Sequence, residues 1–568
     1  MNDPTMRTTI VDTDTSYAVA PANAANDVVA RLSGVRGGEV VVAALQAHGV
    51  DVVFGIPGTH NLSVFDALHR YGVRTVATTH EQGAGYAADG YARTSGRPGV
   101  LVVTSGPAVL NAATALAQAF SDSVPVLLVS PGMPRGHLTH GPGTGHLHEG
   151  KDQTGAMDRI VEACVRPTSH QEIADCIADV FRRMGTGRPR PFQVEVPLDL
   201  LDELGDAEVR RASLPPAPVV DRSSLAEAVE VLGAARDVVI VAGGGASGAT
   251  VPLRELAEAL CAPVVTTING IGALDGTHPL ALGARLWARP VMDAVATADV
   301  VLVVGSELGQ SDLFNGPLAP GGRVVRIDVD PRMRDVNVAA DVMVVGDASD
   351  SLTALVGLLR ERGTATRPDR AARVAGLRAA TDAAAREIGG RWLPWVDAIQ
   401  RSLDDDAVVA TDNAMCVYYG LLPNLVVRRS SSVHFPTGFG TLGFTVPAAI
   451  GAALAAPRRQ VVGVSGDGGL LFTVTELATA AAERLPIVVV VFDNGGYGEI
   501  RNEMLDRGEA PTAVAAPPRD LVLLATSLGA YGVRVETPDD LAMELAAARA
   551  RTGPTVVVVP ESLREEEA

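Results

Sequence analysis

The residues with the clearest chemical capacity lie in the last third of the chain. Asp467 follows an apolar run at 461–465, within Gly466-Asp467-Gly468-Gly469. Asn494 stands 27 positions later, after a second apolar run at 487–492, within Asp493-Asn494-Gly495-Gly496-Tyr497-Gly498. Asp467 offers a hard anionic oxygen and Asn494 a neutral carbonyl oxygen, and the peptide carbonyl of Gly496 can reach the same point. Such oxygen donors suit Mg²⁺, which binds one or two carboxylates together with substrate phosphates. Gly468 and Gly469 let backbone N–H groups approach a phosphate at the start of the following helix. A lone Gly-Asp-Gly is explained by a turn. Joined to Asp-Asn-Gly-Gly-Tyr-Gly at this spacing, it describes a site for a metal-chelated diphosphate.

The elements that hold these residues read as strand, glycine turn, helix, strand, with the helix expected over 473–483. Polar residues end both strands, and in open α/β sheets that edge binds ligands. Similar alternation runs through the chain and predicts an α/β protein of doubly wound parallel sheets. Strands are expected at 50–54, 73–78, 100–104 and 124–129 in a first block. A second block has them at 238–242, 263–266, 300–304 and 324–328. A third has them at 407–411, 461–465, 487–492 and 555–559. The first and third blocks share a layout without an evident sequence repeat. Residues 1–35 read as a loose N-terminal arm. The Pro-containing stretch 203–220 and the Arg/Ala-rich stretch 364–391 read as linkers, the latter helical. The domains are therefore expected at 36–202, 220–363 and 390–562.

A second motif lies in the first block, Thr79-His80-Glu81-Gln82-Gly83-Ala84-Gly85-Tyr86-Ala87-Ala88-Asp89-Gly90-Tyr91-Ala92-Arg93. Its small residues allow a helix to pack tightly. Taken alone, Glu81 is a solvated residue at a helix start. A third segment, Gly438-Phe-Gly440-Thr441-Leu442-Gly443-Phe444, is a glycine-rich loop before an apolar helix.

Together these motifs resemble the thiamine-diphosphate enzymes, over residues 37–560 and in the family's order of Pyr, central and PP domains. The resemblance implies three doubly wound α/β domains. It also implies thiamine diphosphate and Mg²⁺ as cofactors, with Asp467, Asn494 and the Gly496 carbonyl as metal ligands. Gly466, Gly468 and Gly469 fall at the diphosphate. Leu442 falls on the apolar wedge between the cofactor's rings, and the Gly440 carbonyl where the 4′-amino group is held. Glu81 falls on the glutamate that hydrogen-bonds N1′ of the aminopyrimidine and promotes loss of the thiazolium proton. Asp493 departs from the family, which usually has Asn there. The segment 327–331 with Val344-Val-Gly346-Asp347 resembles the central domain of acetolactate-synthase-like members, some of which bind FAD. Gly243-Gly-Gly245 is weak support for FAD, which stays possible but unsupported. In the family, the glutamate and the diphosphate site meet across a subunit interface, which implies a homodimer or homotetramer.

The composition limits the remaining classes. The 568 residues are 47% hydrophobic and 20% charged, with 66 acidic against 47 basic residues and a formal net charge of −19. That balance argues against a nucleic-acid or anionic-membrane binder. No apolar run reaches the roughly 18 residues of a membrane span, and no secretory signal is evident. Cys164, Cys176, Cys261 and Cys416 lack metal-ligand spacing, so a reducing, cytoplasmic setting is expected.

The reaction is read from strand-end polar groups. They are Gly55-Ile-Pro-Gly58-Thr59-His60-Asn61, Thr104-Ser105-Gly106-Pro107, the loop His146-Leu-His148-Glu149-Gly-Lys-Asp152-Gln153, and Tyr497-Gly498-Glu499-Ile500. Glu499 is expected on the first turn of a helix, where a carboxylate suits a guanidinium tail. This combination resembles the 2-ketoarginine (5-guanidino-2-oxopentanoate) decarboxylase branch. It implies non-oxidative decarboxylation of a small 2-oxo acid to an aldehyde and CO₂, with His60, His148 or Glu499 relaying protons. Two alternatives stand beside it: acetolactate-synthase-type carboligation, and a catalytically inactive subunit of the same fold. The intact Glu81, Asp467 and Asn494 argue against the second.

Overall fold

The computed structural model describes residues 28–137, 143–213, 220–314, 316–363 and 368–561. Three six-stranded parallel sheets account for most of it. Their strands are short valine-rich runs buried on both faces, such as Val488–Asp493 and Val300–Val304. Continuous apolar runs of this kind belong to parallel sheets covered by helices on each side.

In the first sheet the strands lie in the order Arg74–Ala77, Val52–Gly55, Gly99–Val102, Val126–Gly132, Phe192–Pro197 and Ala163–Val165. The third sheet runs Val433–His434, Val408–Thr411, Val461–Gly466, Val488–Asp493, Thr555–Pro560 and Tyr531–Arg534. Counted along the chain, both follow the same order, 2-1-3-4-6-5. The winding reverses between the first and third strands of each, and ligand crevices form at the carboxyl ends of the strands there. The middle sheet differs, with Ala281–Gly283, Val264–Thr266, Val238–Ala242, Val300–Val304, Arg323–Asp328 and Val342–Val345 in the order 3-2-1-4-5-6.

The expected strands all form, with ends shifted by a residue or a few. Three expectations need correction. Of the expected arm, residues 1–27 lie outside the described residues. Val28–Arg36 forms a strand, paired antiparallel with Leu204–Arg210 inside the expected linker. The helix expected over 473–483 is two helices, Asp467–Thr473 and Glu476–Ala482, and the first begins on Asp467 itself. The stretch 364–391 is helical over Pro368–Gly389, as its composition suggested.

The first and third domains share one core. The helix Glu81–Ser95 crosses Thr445–Ala455 with almost no side chain between them. A Cβ on Gly451 would stand 1.9 Å from the Ala87 carbonyl oxygen, and one on Gly90 would stand 2.3 Å from that of Ala448. Glycine at both places lets the backbones meet, so the helix bearing Glu81 is fixed against the third domain. Arg188 ties the first domain to the middle one through Glu307 at 2.6 Å and the buried Asp328 at 3.2 Å. Among the described residues, no helix is long and apolar enough to cross a membrane.

Candidate active site

Asp467 sits at the carboxyl end of strand Val461–Gly466 and is fully buried. Gly466 is extended, and the chain turns directly into a helix whose first residue is Asp467. Asn494 follows the neighbouring strand, and its backbone N–H donates to the Asp467 carboxylate at 3.3 Å. Gly496 has φ +151°, a conformation that L side chains rarely adopt. A Cβ on Gly468 would stand 3.1 Å from the Gly496 carbonyl oxygen, and one on Gly469 would stand 3.0 Å from the Asp412 carboxylate. The residues foreseen as metal ligands therefore lie together at the ends of two neighbouring strands. The Arg519 guanidinium ion-pairs with Asp467 and lies 3.7 Å from Asp493. A cation thus already meets this buried carboxylate, which fits a divalent ion held by one carboxylate, one amide and one carbonyl. Asp493, the departure from the family, is turned toward Arg534 at 3.1 Å.

The expected wedge loop, residues 438–444, is held from below. Asp412, at the end of strand Val408–Thr411, accepts the Gly443 N–H at 2.9 Å. Burial pushes its carboxyl up to about 7. Asn413 donates to the Thr441 carbonyl at 2.8 Å. Leu442, between these two anchors, stays half-buried, and Gly440 is exposed with φ +67°.

Glu81 is the first residue of its helix, after the N-cap His80, and is half-buried. Its carboxylate accepts from Asn111 Nδ2 at 2.9 Å. Among the described residues it makes no hydrogen bond to Asp467, Asn494 or the wedge loop. The helix start is braced instead by Glu476 of the third domain, which is fully buried. The Glu476 carboxylate accepts the backbone N–H groups of Thr79 and His80, each at 3.1 Å, and the Thr79 hydroxyl at 2.8 Å.

The switch point of the first sheet gathers the histidines. His60 Nδ1 lies 2.7 Å from Ser105 Oγ, and His148 Nδ1 lies 3.1 Å from the same oxygen. Burial and the neighbouring His148 lower the pKa of His60. Glu499 stands on the first turn of helix Gly498–Asp506, as expected, and accepts the Tyr419 hydroxyl at 2.6 Å. Burial raises its pKa; Tyr419 opposes the shift, and Glu503 and Asp506 add to it. Among the described residues it pairs with no arginine.

Six residues of this framework were not foreseen as site residues: Ser105, Asn111, Asp412, Tyr419, Glu476 and Arg519. Ser105 stood in a recognised strand-end motif. Glu476 is a lone carboxylate in an otherwise apolar helix, a local signal that was available. Arg519 lies 52 positions from Asp467, and nothing local joins them.

Comparison with known proteins agrees with this architecture. The description "Thiamine pyrophosphate enzyme, N-terminal TPP binding domain" matches residues 35–156, the central domain 225–355, and the C-terminal TPP binding domain 420–559. The probable 2-ketoarginine decarboxylase AruI of Pseudomonas aeruginosa is 39% identical, over 92% of this chain and 93% of that protein. An acetolactate synthase of Mycobacterium bovis is 33% identical, over 93% and 88% respectively. A probable acetolactate synthase large subunit of Methanocaldococcus jannaschii is 31% identical, over 90% of each chain. The chain belongs to the thiamine pyrophosphate enzymes, a family of thiamine-diphosphate-dependent catalysts built on these three α/β domains.

Proposed function

We propose that this enzyme decarboxylates a 2-oxo acid bearing a cationic tail, with 5-guanidino-2-oxopentanoate as the leading substrate, and releases the aldehyde and CO₂. The observation that carries the reading is Glu499, a half-buried carboxylate held by a tyrosine hydroxyl and paired with no cation among the described residues. A carboxylate so placed gains most from a guanidinium, whose forked donors match its geometry. The similarity to a probable 2-ketoarginine decarboxylase supports the same assignment.

In this reading Asp467, Asn494 and the Gly496 carbonyl would hold Mg²⁺, and the Gly468 and Gly469 N–H groups would bind the diphosphate. Leu442 and the Gly440 carbonyl would hold the rings of thiamine diphosphate. When bound, the cofactor supplies the carbon nucleophile and the electron sink for loss of CO₂. Glu81 holds a proton at the aminopyrimidine ring. His60 and His148 hold and move protons at the substrate side. Among the described residues Glu81 makes no hydrogen bond to Asp467 or Asn494 of its own chain, which supports a homodimer in which it serves the partner's pocket.

The test compares Glu499→Gln with the parent enzyme on 5-guanidino-2-oxopentanoate and on uncharged 2-oxopentanoate. A charge-assisted hydrogen bond contributes about 1.5–3 kcal/mol, so kcat/KM for the cationic acid should fall roughly 10- to 150-fold. The uncharged acid should change little. Equal effects on both acids would remove Glu499 from tail recognition.

A further inference from the structure

Ser105 is fully buried at the end of strand Gly99–Val102, and its single hydroxyl faces two imidazole nitrogens. His60 Nδ1 stands 2.7 Å away and His148 Nδ1 3.1 Å away, with ring centroids 5.0 Å apart and the rings edge to face. The arrangement is built rather than incidental. His148 carries φ +64°, a left-handed conformation uncommon outside glycine. Gly106 has φ +65°, and a Cβ there would stand 2.6 Å from the His148 Cβ, so only glycine admits the ring. Gln153 fixes this corner by accepting the Gly106 N–H at 2.7 Å and donating to Glu195 at 3.0 Å.

A serine hydroxyl has one proton to give and two lone pairs to receive with. It cannot donate to both rings. If it donates to one Nδ1, the other ring must donate its Nδ1–H to the oxygen. The donating ring, when neutral, presents a bare Nε2, which is a base. The accepting ring presents Nε2–H, which is an acid.

We infer that Ser105 couples His60 and His148 into a complementary acid–base pair, in which one imidazole is always poised to take a proton and the other to give one. The transfer balances. A proton taken at Nε2 of the first ring makes it an imidazolium. Its Nδ1 proton passes to Ser105 Oγ as the hydroxyl proton passes to Nδ1 of the second ring. The second ring, now the imidazolium, releases its Nε2 proton. The net result is one proton moved between the two outer nitrogens, with the serine unchanged and the roles of the rings exchanged. Ser105 is a positioning residue in this scheme, since it acts through the histidines. The inference rests on the decarboxylase reading only in placing this edge beside the substrate.

The test is long-range ¹H–¹⁵N NMR of the His-labelled holoenzyme, with the rings assigned through His60→Gln and His148→Gln. The expected result is opposite tautomers for the two rings, or mirror-image averages of them. In Ser105→Ala both rings should relax to one common tautomer, and kcat should fall about tenfold or more, a fraction of the 10²–10⁴ that proton transfer supplies. Two rings in the same tautomer in the parent enzyme, or an unchanged kcat in Ser105→Ala, would overturn the coupling. The spectrum needs no substrate, so an error in the substrate assignment leaves that readout intact, and a failed spectrum leaves the substrate test intact.

Discussion

Glu476 gives the sharpest structural prediction, because it lies in one domain and braces the start of the Glu81 helix of another. Its carboxylate accepts two backbone N–H groups, those of Thr79 and His80, and the hydroxyls of Thr79 and Thr479. The hydroxyls have second partners, in Thr475 and the Ala77 carbonyl. The two amides do not. In Glu476→Ala they lose their acceptor, and an unsatisfied buried amide costs about 1–3 kcal/mol. The sum is about 2–6 kcal/mol, with the low end expected because Thr79 and His80 are both exposed and water can reach their amides. Glu476→Gln keeps one carbonyl oxygen for both amides and should cost about 1 kcal/mol. Urea unfolding of the two variants reads these values. Glu81 follows these amides directly, so Glu476→Ala should also lower kcat/KM, by up to about 100-fold if the carboxylate moves by 1 Å. A Glu476→Ala protein within 0.5 kcal/mol of the parent by urea unfolding would refute the claim that this carboxylate fixes the helix start.

Other predictions concern the pockets themselves. Arg519 ion-pairs with Asp467, the carboxylate proposed to hold Mg²⁺, so Arg519→Gln should lower the Mg²⁺ concentration for half-activation several-fold; a higher requirement would mean that Arg519 helps to bind the cofactor. Asp467→Asn should abolish Mg²⁺-dependent activation, and retained activation by Mg²⁺ would exclude Asp467 as a ligand. Asp412 has a folded pKa raised to about 7 from 3.8, so the folded state binds the extra proton between those values. That group therefore lowers stability by about 1.4 kcal/mol per pH unit as pH rises across that window. Asp412→Asn lacks the effect, so its stability relative to the parent should improve from pH 4 to 7, and a flat difference would contradict the burial argument. Ionised Glu499 is the form that pairs with a cation. Since burial raises its pKa, KM for a guanidino acid should fall as pH rises through that pKa, and Glu499→Gln should remove the dependence.

The parallel sheets were legible because buried strands leave unbroken valine runs, and the observed ends fall close to those expected. The glycine loop at 466–469 was legible because glycine is required at several neighbouring places and the acidic and amide groups end adjacent strands. The ribbon of Val28–Arg36 and Leu204–Arg210 was missed for the opposite reason. It is a half-exposed, polar pair whose partners are 168–182 positions apart, so neither strand shows an apolar run. The helix start at Asp467 was read several residues late because Gly468 and Gly469 mask helical propensity; the extended Gly466 and the acidic first turn set the boundary instead. His60, His148, Glu81 and Glu499 were found from sequence, but their pairings with Ser105, Asn111 and Tyr419, and the bracing of the Glu81 helix by Glu476, were not. Those pairings arise from tertiary contact between strand ends and between domains.

The most direct measurement is the stoichiometry of CO₂ and aldehyde from a panel of 2-oxo acids that includes pyruvate and 5-guanidino-2-oxopentanoate, with thiamine diphosphate and Mg²⁺ present. The account predicts one aldehyde per CO₂, with the guanidino acid preferred over uncharged acids of the same length. CO₂ from pyruvate accompanied by acetolactate, and none from the guanidino acid, would contradict it and assign the enzyme to carboligation.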